Sequence, residues 1–215
     1  MRLRHHLSAS LLAACCLFVS HASADVQGAQ HFVEKEHGQI KRLVDSSAPA
    51  DQVKQAIGKM VSYDELARRT FGKPCPISVP SCTNHWDQLT PAQQTEVTGL
   101  LRQLVEKNFQ KNLSKTKNYE VTYRGAKEAS ETRVSKIRTE AKSKAEEKKR
   151  EPPVQVDYMV LSNGDQHLTI DIITEGSSMT KNYYDQFHRM LTTPGQGYPY
   201  IVQRLKQKIA TPDGK

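Results

Sequence analysis

The residues most able to do chemistry are the two cysteines of Cys75-Pro76-Ile77-Ser78-Val79-Pro80-Ser81-Cys82. In an oxidising compartment such a pair closes a disulfide over a short, proline-containing loop. The alternative is a zinc site with His85 as third ligand, but the spacing matches no common finger and a fourth ligand is missing. His31, His37, His85, His167 and His188 follow the leader; no two stand at a metal spacing, and each reads as a surface or hydrogen-bonded residue. Glu175-Gly176-Ser177-Ser178 offers hydroxyls without the nucleophile-elbow pattern, so it reads as a strand-to-helix turn. Asp171, between apolar strand neighbours, is either a buried acid or an outward-pointing one. There is no G-x-G-x-x-G, phosphate-binding loop or H-E-x-x-H. The sequence therefore assigns no catalytic residue, no metal and no cofactor, and the expectation is a protein that is not an enzyme.

Compartment comes from the first residues. Arg2 and Arg4 precede an apolar run from Leu7 to Val19, and Ala22-Ser23-Ala24 is a small-residue cleavage site. Residues 1–24 are expected to be a signal peptide, with the mature chain at 25–215. A competing reading is the lipobox-like Leu12-Ala13-Ala14-Cys15, which would put a lipid on Cys15. An exported chain meets no chromosomal DNA or cytosolic RNA. The formal net charge of +8, about +6 once Arg2 and Arg4 leave with the leader, therefore points to membranes or acidic protein surfaces, not to nucleic acid. No run of 18 or more apolar residues offers a membrane span.

These side chains need positioning. Apolar spacing predicts helices over Gln30–Val44 and from about Asp51 to Val61. A third starts at the Ser62/Glu65 capping box and stops near Gly72. Thr90, Pro91 and Gln93 open the clearest helix, whose stripe of Val97, Leu100, Leu101, Leu104, Val105 and Phe109 runs to about Leu113. Alternation then predicts strands at Tyr119–Tyr123, Thr132–Thr139 and Val154–Val160. Asn163-Gly164 is the turn into a partner strand with Leu168, Ile170 and Ile172 on one face. Residues 141–151 read as a charged, exposed insertion. Asn182 is expected to cap a helix carrying Tyr183, Phe187, Met190 and Leu191. A last helix spans Tyr198 to Ile209, and 210–215 reads as a flexible tail. Helices, then antiparallel strands, then helices make an α+β fold in one domain: a curved, mostly antiparallel sheet of four to five strands with helices packed on it.

Four stretches in this order resemble one family. They are Met60-Val61-Ser62-Tyr63-Asp64-Glu65-Leu66-Ala67 with Thr70-Phe71-Gly72; His85-Trp86 with Leu89-Thr90-Pro91-Ala92-Gln93-Gln94; Val156-Asp157-Tyr158 with Asp171-Ile172; and Glu175-Gly176-Ser177-Ser178-Met179 with Asn182-Tyr183 and Gln186-Phe187. Together they are similar to the MlaC, or toluene-tolerance auxiliary, family of periplasmic phospholipid-binding proteins, over residues 30–209. The chain departs from the family at Tyr184, where a basic residue is usual, at His167-Leu168 in place of Trp-Lys, and in the Cys75–Cys82 and 141–151 elaborations.

The resemblance implies a nuclear-transport-factor-like fold and a periplasmic carrier that moves phospholipid between outer and inner membranes as the soluble part of an Mla-type ABC transport system. Its implied partners are the phospholipid, an inner-membrane ABC transporter complex and an outer-membrane lipoprotein complex, with transient membrane contact. A hopanoid or other apolar ligand is the alternative, as is a small enzyme on the same scaffold. Acyl chains would enter a cleft between sheet and helices. Alternation sends Val156, Tyr158, Ile170 and Ile172 toward the helices, with Val105, Phe109 and Phe187 opposite. Tyr123, Val134, Met179 and Tyr183 complete the candidate lining.

Overall fold

Thr90 and Gln93 cap each other: the Gln93 amide donates to Thr90 Oγ1 at 3.3 Å and the Thr90 amide donates to Gln93 Oε1 at 2.9 Å. This reciprocal box starts the longest helix where the sequence predicts it. The computed structural model describes residues 24–79, 81–116, 118–148 and 150–211, without the side chains of 110–116. Helices α1 (Val26–Asp45), α2 (Ala50–Met60), α3 (Tyr63–Thr70) and α4 (Pro91–Thr116) come first. Strands β1 (Tyr119–Glu128), β2 (Val134–Ser143), β3 (Val154–Asn163), β4 (Gln166–Thr174) and the short β5 (Ser177–Ser178) follow, then α5 (Met179–Thr192) and α6 (Tyr198–Ala210). The strands pair antiparallel in simple chain order, β1-β2-β3-β4-β5. The fold is therefore α+β, as expected.

Helix α1 crosses β1 to β4 on the inner face of the sheet, placing Ala29, Val33, Glu36 and Ile40 in the interior. Residues from α2, α3 and α4 join them, and Ile57, Leu66, Phe71, Val97 and Leu101 are almost completely buried. Each Leu or Phe side chain so buried contributes roughly 1.5–3 kcal/mol relative to exposure. Phe71 lies 5.0 Å from Phe187 and 6.1 Å from Trp86, tying α3 to α5.

Several boundaries differ from the sequence reading. Residues 141–143 extend β2; only the stretch beyond them is an exposed connection with a single short turn of helix at Glu146–Lys148. Ser178, not Asn182, caps α5 by accepting from the Lys181 amide. Strand β5 brings Ser178 to the helix entrance, and Asn182 falls within the first turn. Ala210 and Thr211 are held in place: the Thr211 amide donates to the Gln207 carbonyl, and Lys107 Nζ donates to the carbonyls of Ile209 and Thr211. Residues 1–23 of the expected leader and 212–215 of the expected tail lie outside the described residues.

Candidate functional site

Strand register sorts the inner face into rows. Ser135, Val160 and Thr169 form one. Ala126, Ile137, Tyr158 and Ile172 form the next, followed by Tyr123, Thr139, Val156 and Thr174, and lastly Val121, Ala141 and Val154. Helical cover thins along this series. Val160 and Ile137 are fully buried, Val156 is half-buried, and Val154 and Val121 are 36% and 43% exposed. Apolar sheet surface thus continues from the core to an open rim.

A polar group interrupts the apolar rows. His37 of α1 reaches the Tyr123 hydroxyl with Nδ1 at 3.0 Å, and its ring meets Tyr158 edge-on at 4.7 Å. Burial lowers the His37 pKa to about 4. Burial, reinforced by the Glu34 carboxylate, raises Tyr123 to about 12. Burial also raises Tyr158, with Tyr123 adding to the effect. All three side chains are therefore neutral near pH 7, and none of them presents a formal charge to an apolar guest. His37 is hydrogen-bonded, as expected for the histidines, but its place in the site went unrecognised. Its spacing from Val33 and Ile40 put it beside the apolar face of α1, which was the available signal.

The candidate residues do not all share one surface. Tyr123, Val156, Tyr158 and Ile172 stand in adjacent inner rows. Val105, Phe109, Met179 and Tyr183 are half-buried on the helices and pack against the core. Phe187 is 2% exposed, 5.6 Å from Tyr183 and 5.0 Å from Phe71, within filled packing. Val134 corrects the expectation: it lies opposite Leu161, three positions from Ile137 in unbroken register, and so faces away from the inner rows. Ile170 is a second correction. An irregularity between Met159 and Val160 pairs Val160 with Thr169, so Ile170 sits at a bulge and alternation no longer aligns it with Ile172.

Asp171 is 8% exposed and fully engaged. Its carboxylate accepts from Ser178 Oγ at 2.5 Å, the Thr180 amide at 2.9 Å and the Ile172 amide at 2.9 Å. It locks the Glu175–Ser178 turn to the start of α5, with three of the carboxylate's roughly four lone-pair sites taken by these donors.

Cys75 and Cys82 form a disulfide, their Cα atoms 5.8 Å apart. Tyr184 packs beneath this loop: its hydroxyl accepts from the Thr83 amide at 2.9 Å and its ring stacks on His188. The cysteine loop and Tyr184, two separate departures from the family pattern, are therefore parts of one anchored structure. His85 Nε2 lies 2.8 Å from His188 Nδ1. Burial and the neighbouring His188 hold the His85 pKa below its usual value. Among the described residues no group of three or more His, Cys, Asp or Glu could hold a metal.

Residues 36–207 match the family model described as MlaC protein. Among solved structures, the chain is similar to the phospholipid-binding protein from Ralstonia solanacearum in complex with a phospholipid. The two share 19% identity at a TM-score of 0.67, over 85% of this chain and 97% of that one. At that identity the likeness speaks for the fold. No curated protein matches the chain in sequence.

Proposed function

The chain belongs to the MlaC family, and from that premise we propose that it is a periplasmic phospholipid carrier. One observation carries the reading: the apolar inner face runs without a formal charge from the buried Ile137–Tyr158 row to the exposed Val121 and Val154 rim. A lipid's acyl chains would lie along these rows beneath α1, α4 and α5, and its headgroup would stay at the rim in water. The phospholipid bound by the Ralstonia solanacearum structure supports the same choice of ligand.

The energetics explain why a carrier suffices. A two-chain phospholipid in water exposes about 30 methylenes at roughly 0.8 kcal/mol each, or about 24 kcal/mol gross. A protein that hides the chains removes that barrier without forming a covalent bond, in keeping with a carrier that is not an enzyme. We assign its partners as an inner-membrane ABC transporter complex and an outer-membrane lipoprotein complex, met after export and cleavage behind Ala24. Asp25, first in the mature chain, would then serve as the N-cap that accepts from the Gly28 amide at 2.8 Å.

Native mass spectrometry of protein purified from its own periplasm tests this. The expected spectrum shows an added mass of one phospholipid and an N-terminus at Asp25. A clean apo mass in every preparation would remove the carrier reading, and a diacylated Cys15 would replace the soluble carrier with a tethered one.

A further inference from the structure

The outer face of the sheet carries four cations close together on β1 and β2. Lys127 stands directly opposite Lys136, and Arg138 directly opposite Gly125. Gly125 occupies the β1 bulge at φ +127°, and the space a side chain would fill there is open. Arg124, Lys127, Lys136 and Arg138 line a shallow depression of about 220 Å3 at this point.

Two carboxylates answer two of these charges. Glu140 accepts from Arg124 at 2.9 Å. Asp157, buried in the sheet, pairs with Lys136 at 2.6 Å. Lys127 and Arg138 have no carboxylate partner among the described residues. Like charges directly opposed across antiparallel strands destabilise the pair. With Asp157 answering Lys136 and Glu140 answering Arg124, the cluster keeps an excess of two positive charges, on Lys127 and Arg138, beside a concave space large enough for one or two carboxyl groups.

We propose that this outer face of β1 and β2 is a docking surface for a partner protein, which inserts an Asp or Glu carboxylate between Lys127 and Arg138. Concavity favours an inserted side chain over a flat bilayer. So does the apolar inventory: among the described residues the exposed large apolar side chains are Ile77, Val121 and Val154. Ile77 belongs to the cysteine loop, and Val121 and Val154 belong to the opposite face of the sheet. The apolar side chains beside the cations, Met159 opposite Lys136 and Ile173 opposite Asp157, are half-buried in the sheet and do not project as lipid anchors would. A partner seated here leaves the inner-face rim uncovered, and the proposal does not depend on which ligand that rim admits.

The test is fluorescence anisotropy with a labelled hexaglutamate peptide at low salt, alongside flotation on phosphatidylethanolamine–phosphatidylglycerol vesicles. The double variant K127E/R138E should weaken peptide binding by about tenfold or more. The control K59E/R204E makes the same change in net charge at exposed helical positions and should stay near wild type. K127E alone should raise Tm by about 1–3 °C, because it removes one of the two unanswered positive charges of the cluster. Equal weakening in both double variants, absence of saturable peptide binding by the wild type, or a lowered Tm in K127E would overturn the proposal. Loss of vesicle binding with peptide binding intact would overturn it in favour of a membrane surface.

Discussion

The imidazole of His37 and the phenol of Tyr123 meet at 3.0 Å across 86 positions of sequence, joining α1 to the edge strand β1 on the inner face. The histidine pays for its burial in basicity, with a pKa of about 4 against an ordinary 6.5.

Acid sensitivity follows. Between those two values the unfolded chain binds a proton that the folded chain refuses. Stability contributed by neutral His37 is thus complete above about pH 6.5 and declines toward about pH 4, by at most about 1.4 kcal/mol per unit. Urea unfolding of wild type and His37→Phe from about pH 7.5 to about pH 5 should show the steeper decline in wild type. Parallel declines would mean that His37 titrates normally in the folded protein.

Val156→Trp separates a cleft from a solid core. Overpacking a filled interior costs about 1–3 kcal/mol. Val156 is only half-buried, one row from the exposed rim, so the delipidated variant should melt near wild type while its bound lipid falls. Full lipid occupancy in the variant would mean that the chains follow another path. A loss of folding would show that the row is already filled.

Asp171→Asn should act on stability, because the carboxylate holds the Ser178 hydroxyl and two backbone amides. Losing a charged acceptor in that network should cost about 1–3 kcal/mol. Ser178→Ala removes both a donor to Asp171 and the cap of α5, for about 1–2 kcal/mol. Chemical denaturation measures both. An unchanged midpoint in Asp171→Asn would reopen a chemical role for this acid.

The unreduced protein should resist alkylation at Cys75 and Cys82 and take up two alkyl groups after reduction. Mass spectrometry reads both states. Because the loop is short, reduction should cost at most about 2–3 kcal/mol. Tyr184→Phe strands the Thr83 amide and should cost about 1 kcal/mol.

What could be read from the sequence was local. Thr90 with Gln93 and Ser62 with Glu65 mark helix starts because capping acts within three residues, and alternation locates β3 because its inner positions contact one layer. The misses were relationships between segments. Nothing near Ile170 signals that β4 carries an extra residue against β3. Ser178 becomes a cap only because β5 pairs with Ile173 and Thr174. Val134 looks like a continuation of the β2 apolar pattern until the pairing with Leu161 fixes its face. The opposition of Lys127 to Lys136 depends on the Gly125 bulge, and no spacing rule within one strand contains it.

That bulge also governs how the molecule avoids itself. Strand β1 is the open edge of the sheet, whereas the far side of β4 is partly closed by β5 and by the Ser62 amide on the Thr169 carbonyl. An unguarded ten-residue edge is a template on which a second copy could add its own strand. Here the irregular backbone at Gly125 breaks the repeat that such a copy would need, and Glu120, Arg124, Lys127 and Glu128 place charges along it. That ragged edge works against sheet-to-sheet aggregation. A change that kept the charges but straightened the bulge would leave only half of that protection.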